Sequence, residues 1–313
     1  MRASVRGIAL AGCLAGITPA GLTAQSASSL LVLQNPASVR AAGLGGAGAA
    51  LLGDAAALFA TPAGLALVRN VALEASYHGA PFDAYQATGA LAIRMGQLDL
   101  GAGLQYFDYG SEPEVIPDPA TGGVTGLPTG ASVAGREFLA AGTLTYRFGL
   151  LAVGGTIKAV GQRVSDLTDR GVTGDLGIAL AIFDIAAFGL AVQNISGNWE
   201  DDSEITLPGL TRLGFTMNYV DPQESYRLLS TVEVQWPEAA GTRVLAGIEG
   251  GIVMNGVGVL LRGAYATRPS GADLSRFVGG GSVTTGGLSV DYAFTPMALL
   301  DGGEHRIGMR LRM

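Results

Sequence analysis

The chain has 313 residues, 48% of them hydrophobic and 14% charged, with a mean hydropathy of +0.37. Nineteen Lys and Arg face 26 Asp and Glu, a net charge of −7, and the acidic balance excludes a nucleic-acid partner, whose phosphates need clustered cations. So little charge on so apolar a chain is also unusual for a soluble domain.

Met1-Arg2-Ala3-Ser4-Val5-Arg6 supplies two positive charges, Gly7 to Gly21 carries none, and Leu22-Thr23-Ala24 is a small-residue cleavage site. That order is a secretory signal peptide over residues 1–24. Cys13 lies inside it, in Leu10-Ala11-Gly12-Cys13, a stretch with the look of a lipobox but with too short an apolar core before it. Cleavage after Ala24 removes two basic residues, leaving 17 against 26 acidic ones, a net −9, and no cysteine for disulfides or thiol chemistry.

Residues 25–69 do not alternate. Gly43, Gly45 and Gly48 formally fit G-x-G-x-x-G, but no strand precedes them and no βαβ unit surrounds them, so a nucleotide loop is not expected. A close-packed segment of backbone and alanine is the better reading. From residue 70 onward the pattern has a period of two, which makes strands. In Leu288–Phe294 the apolar residues take even numbers, and in Arg306–Met313 Ile307, Met309, Leu311 and Met313 share one face.

Fourteen strands are expected, at 70–79, 84–94, 97–107, 136–147, 150–162, 171–182, 185–195, 209–219, 225–236, 241–251, 256–266, 273–283, 286–294 and 304–313. Each is near the length that crosses a bilayer at a tilt. Short turns at 95–96, 148–149, 183–184, 220–224, 252–255 and 284–285 alternate largely with longer loops at 108–135, 163–170, 196–208, 267–272 and 295–303. No uncharged apolar run reaches 18 residues in the mature part, so an all-β transmembrane antiparallel barrel is the expected fold class.

Parity sorts the charges. Glu74, Arg94, Asp99, Arg147, Lys158, Asp175, Arg212, Arg227, Glu233, Arg243, Glu249, Arg262, Asp291, Arg306, Arg310 and Arg312 fall on one face, the lumen, with a basic excess. Slipping a strand by one residue would set such charges in lipid at roughly 2–4 kcal/mol per Lys or Arg near the midplane. Aromatics such as Tyr77, Tyr106, Phe148, Tyr219, Tyr226, Trp236, Tyr265 and Tyr292 fall on the other face as an interfacial girdle. The lumen charges read either as the ion pairs of a barrel interior or as a means of attracting an anionic group such as a fatty-acid carboxylate. A barrel of fourteen strands is too wide for side chains alone to fill. The segment 25–69 is therefore expected to fold inward as a plug before the 70–313 barrel, its backbone bonded to the lumen charges.

The chain resembles the PorV/PorQ-type outer-membrane proteins, within the broader FadL-like barrel superfamily. The resemblance rests on Ala42-Gly43-Leu44-Gly45-Gly46-Ala47-Gly48 with Asp54, on Thr61-Pro62-Ala63-Gly64-Leu65, and on Asp175-Leu176-Gly177, Val192-Gln193-Asn194-Ile195 and Leu207-Pro208. Asp291-Tyr292-Ala293-Phe294 and His305-Arg306-Ile307 complete it. It implies a fourteen-stranded barrel in the outer membrane of a Gram-negative-type bacterium, with an N-terminal hatch marked by Gly43, Gly45, Gly46, Gly48, Asp54, Pro62 and Gly64. Thr61 stands where the family has Asn, and Met313 where it has the closing aromatic read by the barrel-assembly machinery.

His78 and His305 are far apart in sequence, and no H-E-x-x-H, G-x-S-x-G or Cys/His spacing exists. No enzyme, cofactor or metal is expected; Glu200-Asp201-Asp202 with Glu204 reads as a solvated acidic loop. Two functions are implied by the resemblance. The first is a scaffold that receives exported proteins from a type IX-like secretion apparatus; the second is a passive transporter of hydrophobic small molecules. Loop 108–135, with Pro113, Pro117, Pro119 and Pro128, suits a partner surface or a lid, and a transporter should show an apolar pocket between that loop and the plug.

Overall fold

The computed structural model describes residues 30–165, 167–183, 185–199, 207–219, 225–238, 240–268, 274–297 and 302–313. The signal segment 1–24, the acidic loop at 200–204 and the turn at 220–224 lie outside the described residues. Fourteen strands close into an antiparallel barrel in which each pairs with its sequence neighbours. They are β1 Val71–Gly79, β2 Tyr85–Met95, β3 Leu98–Pro117, β4 Gly126–Phe148, β5 Leu151–Val164, β6 Leu167–Ile182 and β7 Ala186–Trp199, followed by β8 Leu210–Tyr219, β9 Tyr226–Pro237, β10 Arg243–Met254, β11 Val257–Ala266, β12 Phe277–Thr285, β13 Leu288–Pro296 and β14 Gly303–Arg312. The seam closes where Ala72 to Gly79 of β1 pair with Arg312 to His305 of β14, so no strand edge faces the surroundings there.

Parity holds around the barrel. In β11 Leu260, Arg262, Ala264 and Ala266 are buried while Val257, Val259, Leu261 and Tyr265 are exposed. A soluble sheet would not show water this continuous apolar surface; a barrel in hydrocarbon shows lipid nothing else. No helix of the described residues is long and apolar enough to cross a membrane.

Tight connections and both barrel termini gather at one end, here the inner end. Asn255 and Gly256 both take positive φ, 51° and 78°, the backbone of a two-residue hairpin turn whose twist matches the strands. The loop end differs from expectation in two places. Residues 163–170 are mostly strand, since β5 runs to Val164 and β6 starts at Leu167. The expected loop 108–135 is largely a hairpin: β3 and β4 extend to 20 and 23 residues and pair out to Pro117 and Gly126, with register shifts between Asp108 and Ser111 and between Pro113 and Val115. The prolines misled because proline breaks a ladder only inside a sheet. In a two-stranded ribbon beyond the barrel, each strand has a free edge where a missing N–H costs nothing.

The lumen is occupied by residues 30–69. Two short helices, α1 (Leu31–Gln34) and α2 (Val39–Gly43), are followed by 3-10 turns over Ala55–Phe59 and Pro62–Leu67. Alpha-2 touches β11 to β14, the first 3-10 turn touches β1 to β3, and the second reaches β3 to β7. The segment thus crosses the barrel from wall to wall.

Candidate functional site

Small residues on both partners let the segment lie against the wall. An added Cβ on Gly189 would meet the Ala49 carbonyl, one on Gly247 would come 3.2 Å from Leu44 Cβ, and one on Gly177 would come 2.8 Å from Pro62 Cδ. These lumen-facing glycines are seats for plug residues.

The polar ties are charge-assisted. Glu233 Oε2 accepts the Gly48 and Ala49 N–H groups at 2.7 Å each, while its Oε1 accepts from Arg212 Nε at 2.7 Å. Arg212 Nη2 donates to the Gly46 carbonyl at 2.8 Å, and Arg306 Nη1 to the Pro36 carbonyl at 2.8 Å. Glu137 accepts the Val32 N–H at 2.9 Å, Glu74 the Ala56 N–H at 3.2 Å, and the Pro62 carbonyl accepts from Thr145 Oγ1 at 2.6 Å. Buried charge persists in a protein only when partnered, and here the plug backbone is a large share of the partnership.

The motif glycines divide by task. Gly45 and Gly46 (φ 77° and 94°) turn the chain left-handed after α2, and their N–H groups bond to the Ala42 and Ala41 carbonyls, the usual helix C-terminal exit. Gly43 faces Arg262 and Ala293 of the wall, Gly48 faces Ala60, and Gly64 faces Ala57 and accepts the Gly53 N–H at 2.8 Å. No nucleotide loop is formed.

Asp54 is the charged centre of the plug. Its Oδ1 accepts from Arg310 Nη1 and Arg312 Nε at 3.0 Å each, and its Oδ2 from Arg40 Nη1 at 3.2 Å. Arg40 also grips Glu249 with two bonds of 3.0 and 2.8 Å; Arg262 joins Glu249 to Asp291, and Arg310 closes on Asp291 at 2.6 and 2.9 Å. Burial alone would raise the Asp54 carboxyl, but the three guanidiniums overrule it and hold the group well below the ordinary carboxylate range. Four arginines here meet Asp54, Glu249 and Asp291, so most of the basic excess expected of the lumen is neutralised at this end.

The remaining predicted charges stand apart from that cluster. Lys158 pairs with Asp175 at 2.7 Å beside the bulge that Gln193 and Asn194 make in β7. Arg147 pairs with Asp99 at 2.9 Å. Arg94 and Arg227 are exposed. His78 faces inward, 3.2 Å from Glu304, whereas neighbouring His305 faces outward and bonds to the Tyr292 hydroxyl, so no catalytic pair forms. Among the described residues no group of His, Cys, Asp or Glu is arranged to hold a metal.

A cavity of about 810 Å³ remains between the plug and the outer ends of β8 to β10. Leu33, Leu51, Phe59, Leu207, Leu210 and Leu245 give it apolar walls; Arg212, Arg243, Gln235 and Arg268 supply polar ones. Arg243 Nε is buried without a hydrogen-bond partner among the described residues, and Arg268 Nε donates to the Ser275 carbonyl at 3.3 Å. None of residues 108–135 lines the cavity. The pocket expected under that segment is on the other side of the barrel, because the plug packs tightly on β1 to β7 and leaves its slack beside β8 to β10. Arg40, Glu137, Glu304 and Arg268 were missed by parity, two of them because they lie outside the expected strands.

A closed fourteen-strand barrel with an apolar outer face is a transmembrane-barrel architecture. No protein-family model matches the chain, and no curated protein matches its sequence. Among solved structures it is similar to the toluene transporter TbuX of Ralstonia pickettii, at 14% identity and a TM-score of 0.58, over 89% of this chain and 98% of that one. The toluene transporter TodX of Pseudomonas putida is similar at 12% identity and 0.57, over 86% and 95%. A FadL homologue of Pseudomonas aeruginosa is similar at 12% and 0.50, over 88% and 95%. At such identities the likeness is one of fold, the closed antiparallel barrel that this chain shares with them.

Proposed function

We propose that this protein sits in the outer membrane and passively transports hydrophobic small molecules. The observation that carries the reading is the cavity of about 810 Å³ between plug and wall, within the size range of small-molecule sites and lined by six large apolar side chains on one part of its surface and by polar and charged groups on the rest. Its fold neighbours include transporters of toluene, which supports a cargo of that polarity. The test is uptake of labelled toluene by cells making the barrel, against cells making Ala240→Trp. Ala240 lines the cavity from the β9–β10 connection, where a larger ring narrows the space without entering the strands. Uptake should fall several-fold in the variant; parent uptake no greater than that of empty cells, or a variant equal to the parent, would end the proposal.

The extended β3–β4 hairpin supports a second reading, the secretion scaffold. Val115, Ile116, Val124 and Leu127 stand exposed on it beyond the span of the neighbouring strands. Replacing 111–133 by a short turn should leave heat-modifiable migration and toluene uptake unchanged. Loss of surface display of exported proteins in that variant, with uptake retained, is the result that supports the scaffold.

A further inference from the structure

Asp54 stands at the inner end of the cavity. Its neighbours Leu51, Ala56 and Ala57 line that space, while Leu67, Arg69 and Arg312 are exposed at the inner mouth. The Arg312 side chain is 45% accessible and that of Arg310 only 6%, so the carboxylate they share straddles the border between closed lumen and open mouth.

The ties of the plug are not alike. Ala49, Leu44 and Pro62 are lodged over glycine seats and move only by lifting out of the wall. Around Asp54 the two sides differ. Toward β1 and β2, Ala55, Ala56 and Leu58 belong to one apolar cluster with Ala72, Ala90 and Ala92. Toward β14, the hold is ionic. A side held mainly by apolar packing, with the one Glu74–Ala56 N–H bond, faces a side held by ion pairs, and that is the construction of a door.

The tie is also releasable. If Asp54 leaves, Arg310 keeps both bonds to Asp291 and Arg40 keeps both to Glu249. Arg312 alone loses its carboxylate, and it is already half in water. A buried ion pair is costly to break chiefly when it strands an unpaired charge, and here little is stranded on the wall.

We propose that Asp54 is the latch of an inner gate: withdrawal of its carboxylate from Arg310 and Arg312 swings the turn 51–57 off β14 and joins the cavity to the inner mouth. The inference rests on reading the cavity as a transport path. Ion conductance across planar bilayers tests it without any assumption about cargo. Asp54→Asn keeps the side-chain size and removes the charge from all three of its hydrogen bonds, and should raise the open fraction at least about tenfold, the effect of weakening one charge-assisted bond. Arg312→Gln should open the barrel to a lesser degree, and the double variant no further than Asp54→Asn.

Glu137→Gln weakens a different plug tie, at α1, and should stay as closed as the parent. Heat-modifiable migration reports that each variant is folded. Should Asp54→Asn misfold, Arg312→Gln carries the test alone, since its side chain is exposed. The latch is overturned if folded Asp54→Asn and Arg312→Gln conduct no more than the parent, or if Glu137→Gln opens equally. Toluene uptake reads the transport proposal separately: conductance that follows Asp54 in a barrel that carries no toluene keeps the latch and removes the cargo.

Discussion

Thr61 shows how much a single buried atom can decide. It is fully buried ahead of Pro62, and its hydroxyl makes no hydrogen bond among the described residues. An added Cβ on Gly177 would lie 2.5 Å from that oxygen, so the wall is already as close as a glycine permits. An unsatisfied buried hydroxyl costs free energy that a methyl group of the same shape does not. Thr61→Val should therefore be neutral or stabilising by up to about 1 kcal/mol, read as thermal unfolding of the refolded barrel. A loss of more than about 1 kcal/mol would show that the hydroxyl has a partner in solution. An asparagine at this position would be longer and would run into the wall at Gly177. At this scale the sequence was partly legible: Arg40 and Asp54 are the only charged residues between Gln25 and Val68, and they pair with each other. The glycine-rich motif points to Asp54, whereas Arg40 lies outside any strand and parity says nothing about it.

At the scale of elements, strand parity was the readable signal, because a period of two survives errors in boundaries. Of the charges it sets on one face, Glu74, Lys158, Asp175, Arg212, Glu233, Glu249, Arg262, Asp291, Arg306 and Arg310 are buried, whereas Arg94 and Arg227 are exposed. It could not show which strand glycines are seats, since that depends on the path the plug takes. Glycine at a lumen-facing position was the available clue, as at Gly177, Gly189 and Gly247. The seats make a sharp prediction. Gly189→Val places atoms where the Ala49 carbonyl lies, and overpacking of this kind costs typically ~1–3 kcal/mol. Because Gly189 also pairs across to Gly214 in a ladder a valine tolerates, the strand itself should survive. The expected outcome is a barrel that still migrates as folded but melts lower. A melting point equal to the parent's would mean that the plug does not rest on this seat.

At the scale of the molecule, wall and plug are one charge network, and its response to pH follows from Asp54. The groups facing it are Arg40, Arg310 and Arg312, with Glu74, Glu249 and Asp291 behind them. Its folded pKa lies well below the ordinary value of 3.8. A depressed carboxyl contributes stability that is fully present above the unfolded pKa and disappears as pH falls through the folded one. The plug is thus expected to be fully held at neutral pH and to loosen only below about 3.8, where the other paired carboxylates begin to protonate as well. Asp54→Asn isolates the share that belongs to this residue. Its melting temperature should lie below that of the parent at pH 7, and the gap should close as both are titrated from pH 5 downward. A gap that stays constant to pH 2 would mean that the loss in Asp54→Asn comes from packing rather than from charge. The barrel wall was legible because lipid imposes one rule on every strand. The network was less so, because it is assembled from residues that meet only after the plug has folded inward: Asp54 and Arg310 stand 256 positions apart in the chain and 3.0 Å apart in the lumen.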